Sequence, residues 1–341
     1  MTSRERLKTL FREKQCREPV VCLHTWGRYP FDVLGVPHLW DHGIGETFTE
    51  VYLDFRLRFP CDWLHIREGN AWKCLPPVPP DSVPRQSPAS PDEIDAWIER
   101  NFDGQTFTVD QVVAAGMYDH IGALADRAGD EVMIFPNQGA PGSGFPWLSW
   151  EEQLLLIQQS PDLVQYYVRA DDDRFLARVR AAAQLGADGY IFSEGYCGAC
   201  DLISPRLFEQ VFLEPKREFY RSVREAGQLG IGYFLGGIEP YLDAINGMGI
   251  DGLLIEEGKK TFTLDPVAIR RKLDPSVVLF GNVDSYLLLT GPPSAIRDEV
   301  RRQAEARAFG PFVQANGSPL CPGTPPEHID AFLAAAYTDG A

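Results

Sequence analysis

The sequence predicts an α/β fold, a (β/α)8 TIM barrel with a Pro-rich excursion after the second strand. Two observations carry that expectation. Short apolar runs alternate with amphipathic helical stretches along the whole chain, as parallel strands joined by crossover helices require, and the runs number eight, the count that closes a barrel. The 341 residues also suit a barrel of this type, so one domain over 1–341 is expected. An open doubly wound sheet is the competing architecture, but no G-x-G-x-x-G of its dinucleotide-binding form follows the first run.

The elements follow in order. A charged helix, RERLKTLFREK, opens the chain, with Cys16 expected on it, and PVVCL at 19–23 is the first strand. A helix over 47–59 leads to DWLHI at 62–66. The stretch KCLPPVPPDSVPRQSPASP from Lys73 to Pro91 then excludes both helix and sheet interior through its prolines, and is expected as an excursion or lid over the C-terminal face. EVMIF at 131–135, a helix over 160–185 and GYIFS at 189–193 continue the alternation. A helix over 204–226 precedes IGYFL at 231–235, GLLIE at 252–256 and VVLFG at 277–281. Helices over 292–308 and 325–337 flank the last strand, PFVQA at 311–315, and several helices begin at the expected Ser, Thr, Asp or Pro.

Composition bounds the function. With 32 basic and 48 acidic residues the net charge is −16, a field that repels phosphate backbones and argues against nucleic-acid binding. No apolar run is long enough to cross a bilayer and the first residues lack a secretory apolar core, so a cytoplasmic protein is expected. Seven cysteines at irregular spacing do not describe a disulfide framework, and reduced thiols are expected.

In a barrel the chemistry gathers in the loops after the strands. Those positions hold His24 and Arg28; His65, Arg67 and Glu68; Asn137 and Gln138; Glu194, Cys197 and Cys200; Gly236 and Gly237; Glu256, Glu257, Lys259 and Lys260; Asn282 and Asp284; and Asn316, Ser318 and Cys321. The fourth loop, in DGYIFSEGYCGACDLISP, is the most informative, since two soft thiols and a carboxylate at a strand end are metal-ligand chemistry. Each candidate also has a plain structural reading. The two thiols would pack as small apolar residues, His24 and His65 would be satisfied core-edge histidines, the Glu256–Lys260 group a solvated charge cluster, and Asn282 with Asp284 a turn.

Several segments resemble the uroporphyrinogen decarboxylase superfamily, which includes zinc methyltransferases that act on methyl-corrinoid proteins. They are EPVVCLHTWGRYP, LGADGYIF, CDLISPRLFEQVFLEPKREF, YFLGGIEPYLDAINGMGIDGLLIEE, VVLFGNVD and NGSPLCPGTPPEHIDAFLAAAY. The resemblance implies that His24 and Arg28 fall on the two first-strand arginines with which the decarboxylase branch binds substrate carboxylates, and Ser318 on its C-terminal histidine. It implies equally that Tyr233, Leu235 and Ser318 fall on the zinc-binding His, Cys and Cys of the methyltransferase branch, with Cys321 three residues further on.

Two readings follow from the resemblance. The leading one is corrinoid-linked methyl transfer on a small substrate, assisted by zinc or another divalent metal held by Glu194, Cys197, Cys200 and Cys321. His65, Glu68 and Glu194 are then the catalytic candidates, and His24, Arg28, Asn282 and Ser318 bind substrate. The methyl-corrinoid is expected on a separate protein. The alternative is a metal-free decarboxylase in which Arg28 anchors a carboxylate and Glu68 or Glu194 stabilises a cationic intermediate, and a non-catalytic binding protein is the third class.

Overall fold

The computed structural model describes residues 1–25, 27–37, 46–67, 88–102, 108–142, 148–194, 200–259 and 261–338. Eight parallel strands form one sheet in the order β1-β8-β7-β6-β5-β4-β3-β2. They are β1 Val21–Cys22, β2 Trp63–Arg67, β3 Met133–Gly139, β4 Gly189–Glu194, β5 Leu229–Phe234, β6 Gly252–Ile255, β7 Val278–Phe280 and β8 Phe312–Ala315. The (β/α)8 expectation holds. Within the expected excursion, residues 73–87 lie outside the described residues.

Side chains close the seam between β1 and β2. The buried Asp62 carboxylate accepts the Val21 amide at 2.7 Å while its own amide donates to the Val21 carbonyl at 2.7 Å. The Trp63 indole donates to the Leu23 carbonyl at 2.8 Å, and the Thr25 hydroxyl to the His65 carbonyl at 2.9 Å. Arg6 of the first helix, Ser3–Glu13, neutralises Asp62 at 2.6 Å, so this buried charge is compensated.

Strand alternation divides the core in two. Trp63, Met133, Phe135, Ile191, Ile231, Leu254 and Phe280 pack together within the barrel, while Leu64, Ile134, Phe192, Phe234 and Leu253 pack outward against the helices. The helix Glu46–Arg58 adds Phe48, Val51 and Tyr52 to the outer core, close to its expected span.

Other helices begin with the chemistry their sequences offer. Ser149 and Glu152 form a capping box before Trp150–Gln159, and Pro161 and Pro205 occupy first-turn positions where their missing amides cost nothing. The expected helix over 204–226 contains a π-helical turn, Glu209–Leu213, between Pro205–Phe208 and Glu214–Glu225. The helix Asp119–Ala128 was not anticipated, and its buried Ile121 and Leu124 face the outer core. Cys16 is a correction: the first helix ends at Glu13, because Lys14 at φ 56° turns the chain into a left-handed cap, leaving Cys16 beyond it.

Candidate active site at the C-terminal mouth of the barrel

β1 and β2 deliver two imidazoles to the interior. His24 and His65 are fully buried and stack with ring centroids 4.6 Å apart, and Tyr233 of β5 meets His24 edge-on at 5.0 Å. The main chain of His24 is clamped by Asn316, which accepts its amide at 2.9 Å and donates to its carbonyl at 3.3 Å. All four imidazole nitrogens lack a hydrogen-bond partner among the described residues. Burial pushes His24 down to about 3, against a smaller raising effect of the Gly317 backbone. Burial and then the neighbouring His24 hold His65 well below the usual histidine range. Both rings are neutral near pH 7, so they are polar surfaces without charge.

The loops after β4 and β6 supply a carboxylate cluster. Glu257, largely buried, accepts the Ser318 hydroxyl at 2.6 Å and the Lys259 ammonium at 2.7 Å. Glu256 accepts the Gly236 amide at 3.3 Å, and Asp201 accepts the Gly237 amide at 2.9 Å. The glycine pair therefore positions two carboxylates, using backbone donors that need no side chain. Burial raises the Glu256 carboxyl above its ordinary value, and Glu257 and Asp201 raise it further against the opposing Gly236 amide and Lys259. Tyr233 is raised by burial and by Glu256 and Glu257, with Ser318 acting the other way. Glu256 thus holds a proton more readily than an ordinary carboxyl group, beside an aromatic hydroxyl and a Ser–Glu–Lys chain.

Gly236 is indispensable to this arrangement. Its φ is +89°, and an added Cβ would lie 2.8 Å from the Asp201 carboxyl carbon. Gly236→Ala is expected to destabilise the protein by at least about 1 kcal/mol through left-handed strain, with Asp201 displaced as well. An unchanged urea midpoint for this variant would contradict the placement of both carboxylates.

The structure assembles part of the expected site. His24, His65 and Ser318 reach the mouth together. Asn282 does not offer its amide to a substrate, because Nδ2 donates to the Glu256 and Leu264 carbonyls at 3.0 and 3.2 Å. Arg28 is exposed and pairs with Asp32 at 2.8 Å. Glu68 and Cys197 lie outside the described residues, as does Lys260.

Glu194 belongs to β4 rather than to the loop behind it. Ile191 points inward, so alternation sends Phe192 and Glu194 outward, where the Glu194 carboxylate pairs with buried Lys216 and accepts the Tyr220 hydroxyl at 2.8 Å. Cys200 packs in the outer core, its thiol raised by burial and then by Asp201, Glu194 and Glu256. Burial likewise raises the half-buried Cys321 thiol, with Glu257 and Asp284 adding to it against Lys259. Among the described residues no group of three or more His, Cys, Asp or Glu side chains is placed to hold a metal ion. The described members of the expected ligand set therefore do not fit a tetrahedral zinc site.

Sequence reasoning missed Lys216, although a signal was present. Lys216 falls on the buried stripe of Pro215, Phe219, Tyr220 and Val223 in its helix, and a lysine there requires a buried anion. Ser193 was also missed. Its Oγ lies 3.4 Å from Nδ2 of Asn137, and Asn137 itself lies in β3 rather than in the loop after it.

Comparison with known proteins places these features in context. Residues 105–338 match the family model described as uroporphyrinogen decarboxylase (URO-D). The chain is 31% identical over 153 residues to a uroporphyrinogen decarboxylase of Acidiphilium cryptum, covering 44% of this chain and 40% of that protein. It is 26% identical over 176 residues to a uroporphyrinogen decarboxylase of Aromatoleum aromaticum, covering 51% and 47%. The chain thus spans under half the length of these two relatives. Among solved structures, a methyltransferase from Methanosarcina mazei superposes with a TM-score of 0.75 at 19% identity, covering 98% of both chains, a likeness of fold.

Proposed function

Since the chain belongs to the uroporphyrinogen decarboxylase (URO-D) family, we propose that it is an enzyme acting on a small molecule at the C-terminal mouth of its barrel, and that the reaction is methyl transfer to a corrinoid carried by a separate protein. The observation that carries this reading is the charge of the mouth on its β5–β8 side. Asp201 and Glu257 both act on Glu256 there, Asp284 acts on Lys259, and Lys259 is already engaged by Glu257. A polycarboxylate substrate would meet like charge from Asp201, Glu257 and Asp284 at this wall, and His24, where the decarboxylase branch has its first arginine, is held neutral. A neutral or cationic methylated substrate meets no such repulsion.

The residues at the mouth supply proton chemistry. As the acceptor forms its bond to the methyl carbon, the bond from that carbon to oxygen, nitrogen or sulfur breaks; the departing group of a neutral substrate takes up a proton, whereas that of a cationic substrate leaves as a neutral group. Glu256 is the proposed donor, Tyr233 and the Ser318–Glu257–Lys259 chain orient the leaving group, and the buried, neutral His24 and His65 pack behind Tyr233. No metal-dependent step is included in this mechanism.

The test is a direct assay of both chemistries. Free cob(I)alamin is incubated with the protein and a panel of O-, N- and S-methylated compounds, and formation of methylcobalamin is followed by its absorbance. Uroporphyrinogen is supplied in parallel and its decarboxylated products are quantified. Methylcobalamin formation that falls about 10²-fold or more in Glu256→Gln is expected for loss of a general acid. Decarboxylation of uroporphyrinogen with no methylation of cob(I)alamin would overturn the proposal.

A further inference from the structure

At the opposite end of the barrel, where β1 and β8 begin, a cavity of about 420 Å³ is lined by Lys14, Cys16, Arg17, Glu18, Arg307 and Phe312 among others. Three of these residues are cationic in a chain whose net charge is −16. Among the described residues none of the three forms an ion pair, and the carboxylate beside them, Glu18, accepts Arg6 at 3.3 Å. The cavity therefore gathers three cations without a direct ion pair among the described residues, and only the more distant Asp251 and Asp274 act on Lys14.

Arg307 supplies an independent observation. Its Nε and Nη2 atoms are buried and have no hydrogen-bond partner among the described residues. Nearby Arg270 is a buried guanidinium whose Nε also lacks a partner but whose Nη atoms are satisfied: they donate to the carbonyls of Leu273 and Asp274 at 2.6 Å each, and to those of Val277 and, at 3.3 Å, Pro311. Arg307 is left without such acceptors at the edge of a cavity. Burial lowers both Lys14 and Arg307 from their ordinary values, so an anion brought into the cavity would stabilise their charged forms.

We propose that this cavity binds a phosphorylated small molecule, its phosphoryl group held by Lys14, Arg17 and Arg307, at a site separate from the chemistry of the barrel mouth. Guanidinium forks suit the tetrahedral oxygens of a phosphoryl group, and a multivalent oxyanion can engage several cations at once. The volume lies within the range of small-molecule sites and leaves room for an organic group beyond the phosphate.

Cys16 in the cavity wall provides a readout independent of any enzymatic activity. Alkylation of Cys16 by iodoacetamide is followed by peptide mass spectrometry in phenyl phosphate, inorganic phosphate or sodium chloride at matched ionic strength, and affinity is measured by calorimetry. Phenyl phosphate is expected to slow alkylation about tenfold and to bind more tightly than inorganic phosphate, with Kd rising about tenfold in Arg307→Gln and in Arg17→Ala, or about 1.4 kcal/mol for each. Arg17 is exposed, so its variant keeps the test valid if the Arg307 variant fails to fold. Equal protection by chloride, absence of binding to wild-type protein, or undiminished affinity in a folded variant would overturn the site. Tighter binding of inorganic phosphate would overturn the phosphorylated molecule as its ligand.

Discussion

Replacing Lys216 by methionine is expected to cost about 3 to 5 kcal/mol of folding stability, because it strips the counter-charge from a carboxylate that cannot reach water. Both side chains of the Lys216–Glu194 pair are almost wholly inaccessible, at 3% and 1%. The Tyr220 hydroxyl, which remains, supplies a single hydrogen bond to Glu194. Adding Glu194→Gln to Lys216→Met should restore most of the loss, since a neutral amide beside an apolar chain leaves no uncompensated charge. Urea unfolding of the wild type, both single variants and the double variant forms the cycle that checks this. If the single variant loses less than about 1 kcal/mol, a range typical of exposed pairs, Glu194 is not held as described.

Acidification should unfold the protein partly through its buried imidazoles. His24 is held at about 3 in the folded state against 6.5 for the ordinary side chain, and His120 at about 4. A depressed folded value means that the stability is fully present above pH 6.5 and is lost as pH falls from there toward 3. With about 1.4 kcal/mol per pH unit, His24 alone accounts for roughly 2 to 3 kcal/mol of loss by pH 4.5. Buried carboxyls act in the opposite direction. Asp172 is pushed up to about 8, by burial and then by Asp171, and favours the folded state as pH falls. The informative quantity is therefore a difference: the slope of stability against pH between 4.5 and 6 should be shallower in His24→Phe than in the wild type. Identical slopes would mean that His24 is not a buried neutral base.

Much of the barrel was legible because its chemistry is local. EVMIF, GLLIE and VVLFG each hold an unbroken apolar run, as strands covered on both faces must, and turn residues separate them from amphipathic helices. The helices from Pro161 and Pro205 announced themselves through Ser-Pro starts. The position of His24, His65 and Ser318 at the C-terminal ends of the strands could be anticipated, because a parallel barrel sends those ends to one face.

By itself, then, the sequence determined the barrel alternation, the acidic charge and the end of the barrel at which its polar residues gather. It did not determine which way those residues point. Glu194 shows the physical reason: side-chain direction in a strand has a period of two, so extending β4 to include Glu194 turns that carboxylate from the mouth toward Lys216. The partners that decide its chemistry lie 22 and 26 residues away, on a helix that meets β4 only after folding. The charges at the other end of the barrel illustrate the same dependence, since Lys14 and Arg307, far apart in the chain, line one cavity only because β1 pairs with β8. Local patterns encode the elements, whereas packing between distant segments decides which charges are neutralised and which remain available to a ligand.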